Sequence, residues 1–367
     1  MKKLSAVWTG ILLSVLFLKT SGQAPVPDNN WIRPAGEKSS PVWGIKNGIV
    51  VGLWPASIEK GYAGGETGGP RGLLRIGYEF KGTIYLINYI AVEPLVDDDM
   101  EFSEVSPSSV DGKWGKLFWA ADDTTNAIFS PYANAHGVIS HPDKTHPEIE
   151  QLSWFVLMEK FLDSADPYLK LSIRNDKPGE LCLEIFNHSK NSRMQRCALT
   201  ATMGNYSKLR LLYLKNQIVD SRKIFSGYDD IEFIEKEPYA AHQLLRNKSG
   251  DFLAIASSNE NLSDLSAWAE DSIHLSHWRW RYRPFYKLTQ YWRVESQGLD
   301  SNSLQLRVNG RAKYWAGDSQ NKKEYMDIMG GPAFENFEMR ENYHAGQKFY
   351  FGLSLKSPEV LLKAFDQ

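Results

Sequence analysis

The 367-residue chain has two cysteines, Cys182 and Cys197, which cannot by themselves make a zinc site of the usual kind. After residue 22 no apolar run approaches the length that crosses a bilayer as a helix. No segment recurs at a fixed period, which argues against propeller and solenoid architectures. Lys and Arg total 42 against 44 Asp and Glu, so the broad basic surface of a nucleic-acid binder is missing. The glycine-rich stretch 61–72 lacks the lysine-hydroxyl ending of a phosphate loop, and no helix signal follows it. Helix signals are few throughout, and no catalytic signature fixes a reaction.

At the N-terminus, Lys2 and Lys3 precede an apolar run from Leu4 to Leu18 and the small-residue stretch Thr20–Ala24. A basic segment, an apolar segment and a cleavage zone in that order form a secretory signal peptide. Cleavage after Gly22 is expected, leaving 23–367 as one domain. Removing residues 1–22 takes away Lys2, Lys3 and Lys19 and moves the formal charge from −2 to −5. No cysteine near the cleavage zone offers a lipid anchor, so the expected location is secreted or periplasmic. In that oxidising setting Cys182 and Cys197, placed symmetrically about a turn at 188–191, are expected to face each other across a hairpin as a disulfide. The other reading of the pair is two buried free thiols.

The mature chain reads as short strands joined by tight turns. Asn47-Gly48, Lys81-Gly82 and Asn309-Gly310 sit between apolar runs as two-residue hairpin turns, and Asp111-Gly112 marks another. Alternation is dense from 151 onward, as in Leu169, Leu171, Ile173 or Phe349, Phe351, Leu353. Ser357-Pro358-Glu359 opens a terminal helix, and short helices are expected near 239–245 and 263–268. More than a dozen strands imply an all-β fold, a large two-sheet β-sandwich with few short helices.

One stretch, 274–293, stands out. From His277 to Arg283 it alternates with period two. Trp278, Trp280 and Tyr282 fall on one face of a strand, and His277, Arg279, Arg281 and Arg283 fall on the other. Such a strand offers an aromatic wall and a guanidinium ladder able to grip carboxylate or sulfate. The same pattern also suits an ordinary half-buried strand. Arg71, at the end of the glycine-rich loop, is a further candidate substrate contact.

The signal peptide, the all-β pattern and the aromatic richness together resemble secreted carbohydrate-active β-sandwich proteins of polysaccharide-degrading bacteria, of the galactose-mutarotase or lyase type. The resemblance implies a sugar polymer bound on the concave face of one sheet. Aromatic rings and arginines favour an acidic polysaccharide or oligosaccharide. A β-eliminating lyase would use Arg279 or Arg281 to neutralise a uronate and Tyr239, His242 or His277 as base. A hydrolase would need paired carboxyls, for which Glu335 and Glu338 are the local candidates. Their odd spacing puts them on opposite faces unless a bulge intervenes. A non-catalytic glycan binder and an epimerase of free sugars remain open. No cofactor is expected. His136, His141 and His146 could hold a metal only if their loop folds back on itself, and a polar rim loop is the preferred reading.

Overall fold

A computed structural model of the chain describes residues 30–36, 39–53, 71–129, 135–189, 193–202, 207–259, 280–281, 288–315 and 325–365. The signal segment, most of the glycine-rich loop, the expected helix at 263–268, and His277, Trp278, Arg279, Tyr282 and Arg283 lie outside the described residues.

Fifteen described strands run four residues or longer. In chain order they begin with β1 Val42–Ile45, β2 Ile49–Gly52, β3 Leu73–Phe80, β4 Thr83–Val96 and β5 Phe118–Ala121. Next come β6 Gln151–Met158, β7 Pro167–Arg174, β8 Glu180–Asn187, β9 Met194–Thr202 and β10 Leu209–Tyr213. The last are β11 Phe252–Ser258, β12 Thr289–Val294, β13 Gln305–Arg311, β14 Ala333–Arg340 and β15 Gln347–Ser354. One sheet carries the order β1-β2-β3-β4-β9-β14-β13, and the other carries β10-β11-β12-β15-β8-β7-β6-β5. Short strands extend them to 12 and 11 strands. This is the expected all-β, two-sheet sandwich.

Alternation decides which residues the sheets bury. Ile90 and Val92 of β4, Leu199 and Ala201 of β9, and Leu181, Leu183 and Ile185 of β8 all join one apolar core between the layers. Three polar or aromatic bridges cross it. Trp43 of β1 stacks on Trp154 of β6 with centroids 5.4 Å apart, and its indole N–H donates to the Ala135 carbonyl at 3.1 Å. The Asn88 amide donates to the Gln290 side-chain carbonyl at 2.6 Å. Trp292 of β12 donates its N–H to the carbonyl of Phe337 in β14 at 2.7 Å. Each satisfies a polar group that burial would otherwise penalise.

The turn at 47–48 forms as expected between β1 and β2, with Asn47 at φ 53°. So does the Lys81-Gly82 turn between β3 and β4, both residues having positive φ. The terminal helix α1, Pro358–Phe365, is also present, with the Leu361 N–H donating to the Ser357 carbonyl at 2.9 Å.

Two expectations are corrected. β8 and β9 do not form a hairpin: β8 pairs with β7 and β15 in one sheet, β9 with β4 and β14 in the other. The segment between them therefore changes layers. Cys182 and Cys197 are free, Cys197 within the shared core and Cys182 on alternate register to the core residues Leu181 and Leu183. Burial raises both thiol pKa values, that of Cys182 to about 12. Alternation reports which face a residue takes, but not which layer its strand joins. Asn309-Gly310 likewise is no turn, because β13 runs through it. Glycine is required there for packing, since a Cβ would lie 2.4 Å from the Phe225 ring.

Replacing Trp292 with alanine should cost ~3–5 kcal/mol of unfolding free energy. Trp292→Phe retains much of the apolar area but strands the Phe337 carbonyl, and should cost ~1–3 kcal/mol. Urea titrations of the three proteins measure both; a neutral Trp292→Phe would show that the indole bond carries no stability.

Candidate functional site

The face of the first sheet that points away from the core is unusually charged. On the four adjacent strands β4, β9, β14 and β13, the positions between core residues include Glu93, Arg196, Thr200, Glu338, Arg340 and Arg307. Register aligns them: Glu93 lies opposite Ala198, Thr200 opposite Ala91, Glu338 opposite Arg307, and Arg340 opposite Gln305.

A bulge enlarges the set. Val308 pairs with Phe337 and Gly310 with Phe334, so two steps along β13 match three along β14. Phe334 and Phe337 both reach the core, and Glu335 therefore shares the opposite face with Glu338. Glu335 lies 4.0 Å from Arg311, and Glu338 lies 3.6 Å from Arg307 and 3.7 Å from Arg340. The bulge that the pairing of these acids required is present.

The carboxyls are in unlike states. Glu93 is almost wholly buried, and burial, reinforced by the nearby Glu338 charge, pushes its pKa well above the usual range. The Thr200 hydroxyl donates to Glu338 and also hydrogen-bonds Glu93. Burial and the neighbouring Glu338 charge thus favour the neutral form of Glu93, while its hydrogen bond with Thr200 works against it. Glu104, half-buried beside this group, is raised by burial to about 7, with Arg311 drawing it down. The face thus gathers two buried carboxyls, one of them pushed toward its neutral form, beside Glu104 poised near neutrality.

Arg307 and Arg340 line a polar cleft of about 430 Å³, walled on its other side by Glu235, Lys236, Glu237 and Pro238. Arg307 donates to Glu235 at 3.0 Å. Burial and the adjacent Arg340 charge push the Arg196 guanidinium pKa down. The Nε atoms of Arg196 and Arg340 are both shut off from water without an acceptor among the described residues. Of the residues lining the cleft, Lys236, Arg307 and Arg340 are cationic and Glu235 and Glu237 anionic, leaving one net positive charge. A cleft of this kind suits an anion.

The residues singled out from the sequence are dispersed. Tyr239 is buried in the core, its neighbour Lys236 set over its ring. His242 is exposed on a 3-10 turn at Ala241–Gln243. Arg71 is buried and bound in bidentate fashion by Asp111, at 2.9 and 3.1 Å. Its hydrogen bonds hold the Asp111 pKa below the ordinary carboxylate value despite burial. Trp280 and Arg281 pair in parallel with Ile84 and Tyr85 of β4. His136 contacts the Pro34 carbonyl and His146 contacts Asp143, and among the described residues no three His, Cys, Asp or Glu gather as for a metal. No helix of the described residues is long and apolar enough to cross a membrane.

Glu93, Glu104, Thr200, Arg307 and Arg340 were not foreseen. One signal was available: Glu93 is a lone acid within the apolar second half of β4, residues 89–96, an expensive position unless the charge is used or suppressed.

No protein-family model and no curated protein sequence matches the chain. Among solved structures, that of HI1317 is 8% identical over 77% of this chain and 92% of that one, with a TM-score of 0.20. That of YeaD from Salmonella typhimurium, provisionally named a mutarotase, is 7% identical over 77% and 90%, with a TM-score of 0.19. At such scores these likenesses carry no argument, and the site stands on its own geometry.

A carboxyl whose pKa is raised by folding binds protons more tightly in the native state, so its contribution to stability is full at low pH and lost as pH rises. For Glu104 the loss runs from about 4.5 to about 7. Glu104→Gln should therefore melt at the same temperature as the parent at pH 4 and at a higher one at pH 8. Equal melting temperatures at pH 8 would remove the raised pKa from the description of the site.

Proposed function

We propose that this protein is a glycan-active enzyme that cleaves an acidic polysaccharide by β-elimination in the cleft of Arg307 and Arg340. The observation that carries the reading is that two guanidiniums lining a polar cleft share one sheet face with the buried carboxyls of Glu93 and Glu338. In such a reaction Arg307 and Arg340 pair with a uronate carboxylate and make the adjacent C–H more acidic. A carboxylate on this face, Glu104 near neutral pH, takes that proton. The C–O bond to the leaving sugar then breaks, a C=C bond forms, and Glu93, whose burial favours its protonated form, gives a proton to the leaving oxygen. Tyr239 and His242 are not assigned the base, since one is in the core and the other on an exposed turn.

Hydrolysis is the second reading, supported by the bulge that sets Glu335 and Glu338 on one face. It uses the same anion contacts but needs two carboxyls flanking the glycosidic bond. An exported protein with the signal segment expected at 1–22 would meet such polymers outside the cytoplasm.

Incubation with a panel of uronate-containing and sulfated polysaccharides separates these outcomes. Ultraviolet absorbance of an unsaturated uronate is expected; new reducing ends without it would mean hydrolysis, and binding without either would mean a non-catalytic binder. Arg340→Ala should weaken binding of the acidic oligosaccharide by ~1–3 kcal/mol, and more so at low salt, where charge pairs are less screened. If no anionic glycan binds, or Arg340→Ala binds as tightly as the parent, the reading falls.

A further inference from the structure

A second cavity lies on the other sheet, away from the charged cleft. It encloses about 450 Å³ and is lined by Trp119 and Phe129 on one side and by Asp166 and His188 on another. This volume falls in the range of small-molecule sites. Its construction is specific. Trp119 stands on β5, and Phe129 meets it edge to face with centroids 4.8 Å apart and planes at 77°. His188 stacks on Tyr168 of β7 at 4.2 Å, and Tyr168 in turn stacks on Phe186 of β8 at 5.2 Å. That row of rings holds the imidazole as a wall. The Asp166 carboxylate is half-exposed, with the His188 Nδ1 3.9 Å from it.

The charge of this cavity is opposite in sense to that of the cleft. Asp166 and Glu159 outnumber Lys160, the one cation among its lining residues. Glu159 is fully engaged, accepting from Ser108, Ser109 and the Leu117 N–H. Asp166 is the carboxylate left to accept from a ligand. Aromatic rings beside a carboxylate acceptor, with an anionic bias, suit an uncharged polyol ring: C–H faces pack on the indole and phenyl groups while hydroxyls donate to Asp166.

We propose that this cavity is a binding site for an uncharged saccharide, separate from the charged cleft and independent of the reaction assigned there. It would let one layer of the sandwich hold neutral sugar while the other takes an anionic group.

The test is titration calorimetry of the full chain with cellotetraose, xylotetraose and maltotetraose, each in turn. At least one should bind, and Phe129→Ala and Asp166→Asn should each weaken it about tenfold, as loss of one ring contact or one charge-assisted hydrogen bond implies. Phe129 is 42% exposed and Asp166→Asn is isosteric, so both variants should fold, which far-UV circular dichroism checks. Arg340→Ala should leave neutral binding unchanged whether or not the charged cleft binds anything. Absence of binding by all three tetrasaccharides would overturn the proposal. So would equal affinity in both variants, or loss of neutral binding in Arg340→Ala.

Discussion

The indole of Trp292 crosses the sandwich and donates to the carbonyl of Phe337, the residue immediately before Glu338. That bond and the packing around it tie the central strand of one layer to the charged strand of the other. Phe337 points into the core and Glu338 away from it, so fixing one fixes the other. Trp292 itself is held edge to face by Phe351 at 4.9 Å, and its polar atom is satisfied. A strand anchored in this way can tolerate a bulge two residues upstream without slipping in register. The bulge is what turns two acids of odd spacing to one side.

On the far side of that strand the problem is electrostatic. Glu93 and Glu338 are both removed from water, and two adjacent buried carboxylates would repel strongly. The structure answers this with burial that favours the neutral form of Glu93, the Thr200 hydroxyl between the two acids, and guanidiniums of Arg307 and Arg340 near Glu338. Each device depends on its neighbour. Without the arginines Glu338 would be a bare buried charge, and without Glu338 the arginines would crowd one another, as Arg196 and Arg340 already do. Such mutually dependent groups are costly to assemble by packing alone, and they sit where one sheet face opens into a cleft.

How much of this was legible in the sequence follows from what alternation encodes. Period two gives the face of every residue, so the sandwich, the core positions of β7, β8 and β15 and the two N-terminal hairpins could be read directly. It does not give the layer. Leu181 and Leu199 face the same core from opposite sheets, which is why Cys182 and Cys197 appeared to be hairpin partners. Nor does it give long-range register, so Glu93, Thr200, Arg307 and Glu338 could not be joined into one site. Glu335 and Glu338 were nominated, but their shared face depends on a bulge that local pattern does not announce. Arg71 resembled a free loop arginine because its partner, Asp111, is forty residues away.

The change of layer between β8 and β9 has a kinetic consequence. The strand carrying Thr200 cannot pair with its chain neighbour; it must find β4, roughly a hundred residues earlier, and then wait for β14, more than a hundred residues later, to close its other edge. Contacts of such separation form only after large loops have been restricted, which makes folding slow and leaves strand edges open meanwhile. During synthesis β4 and β9 are both complete while β13 and β14 have not yet been made, so Glu93 has Thr200 and Arg196 on the adjoining strand before Glu338, Arg340 or Arg307 arrives. The charged face is therefore the last part of its sheet to acquire all its members, and an emerging chain holds no working fragment of it.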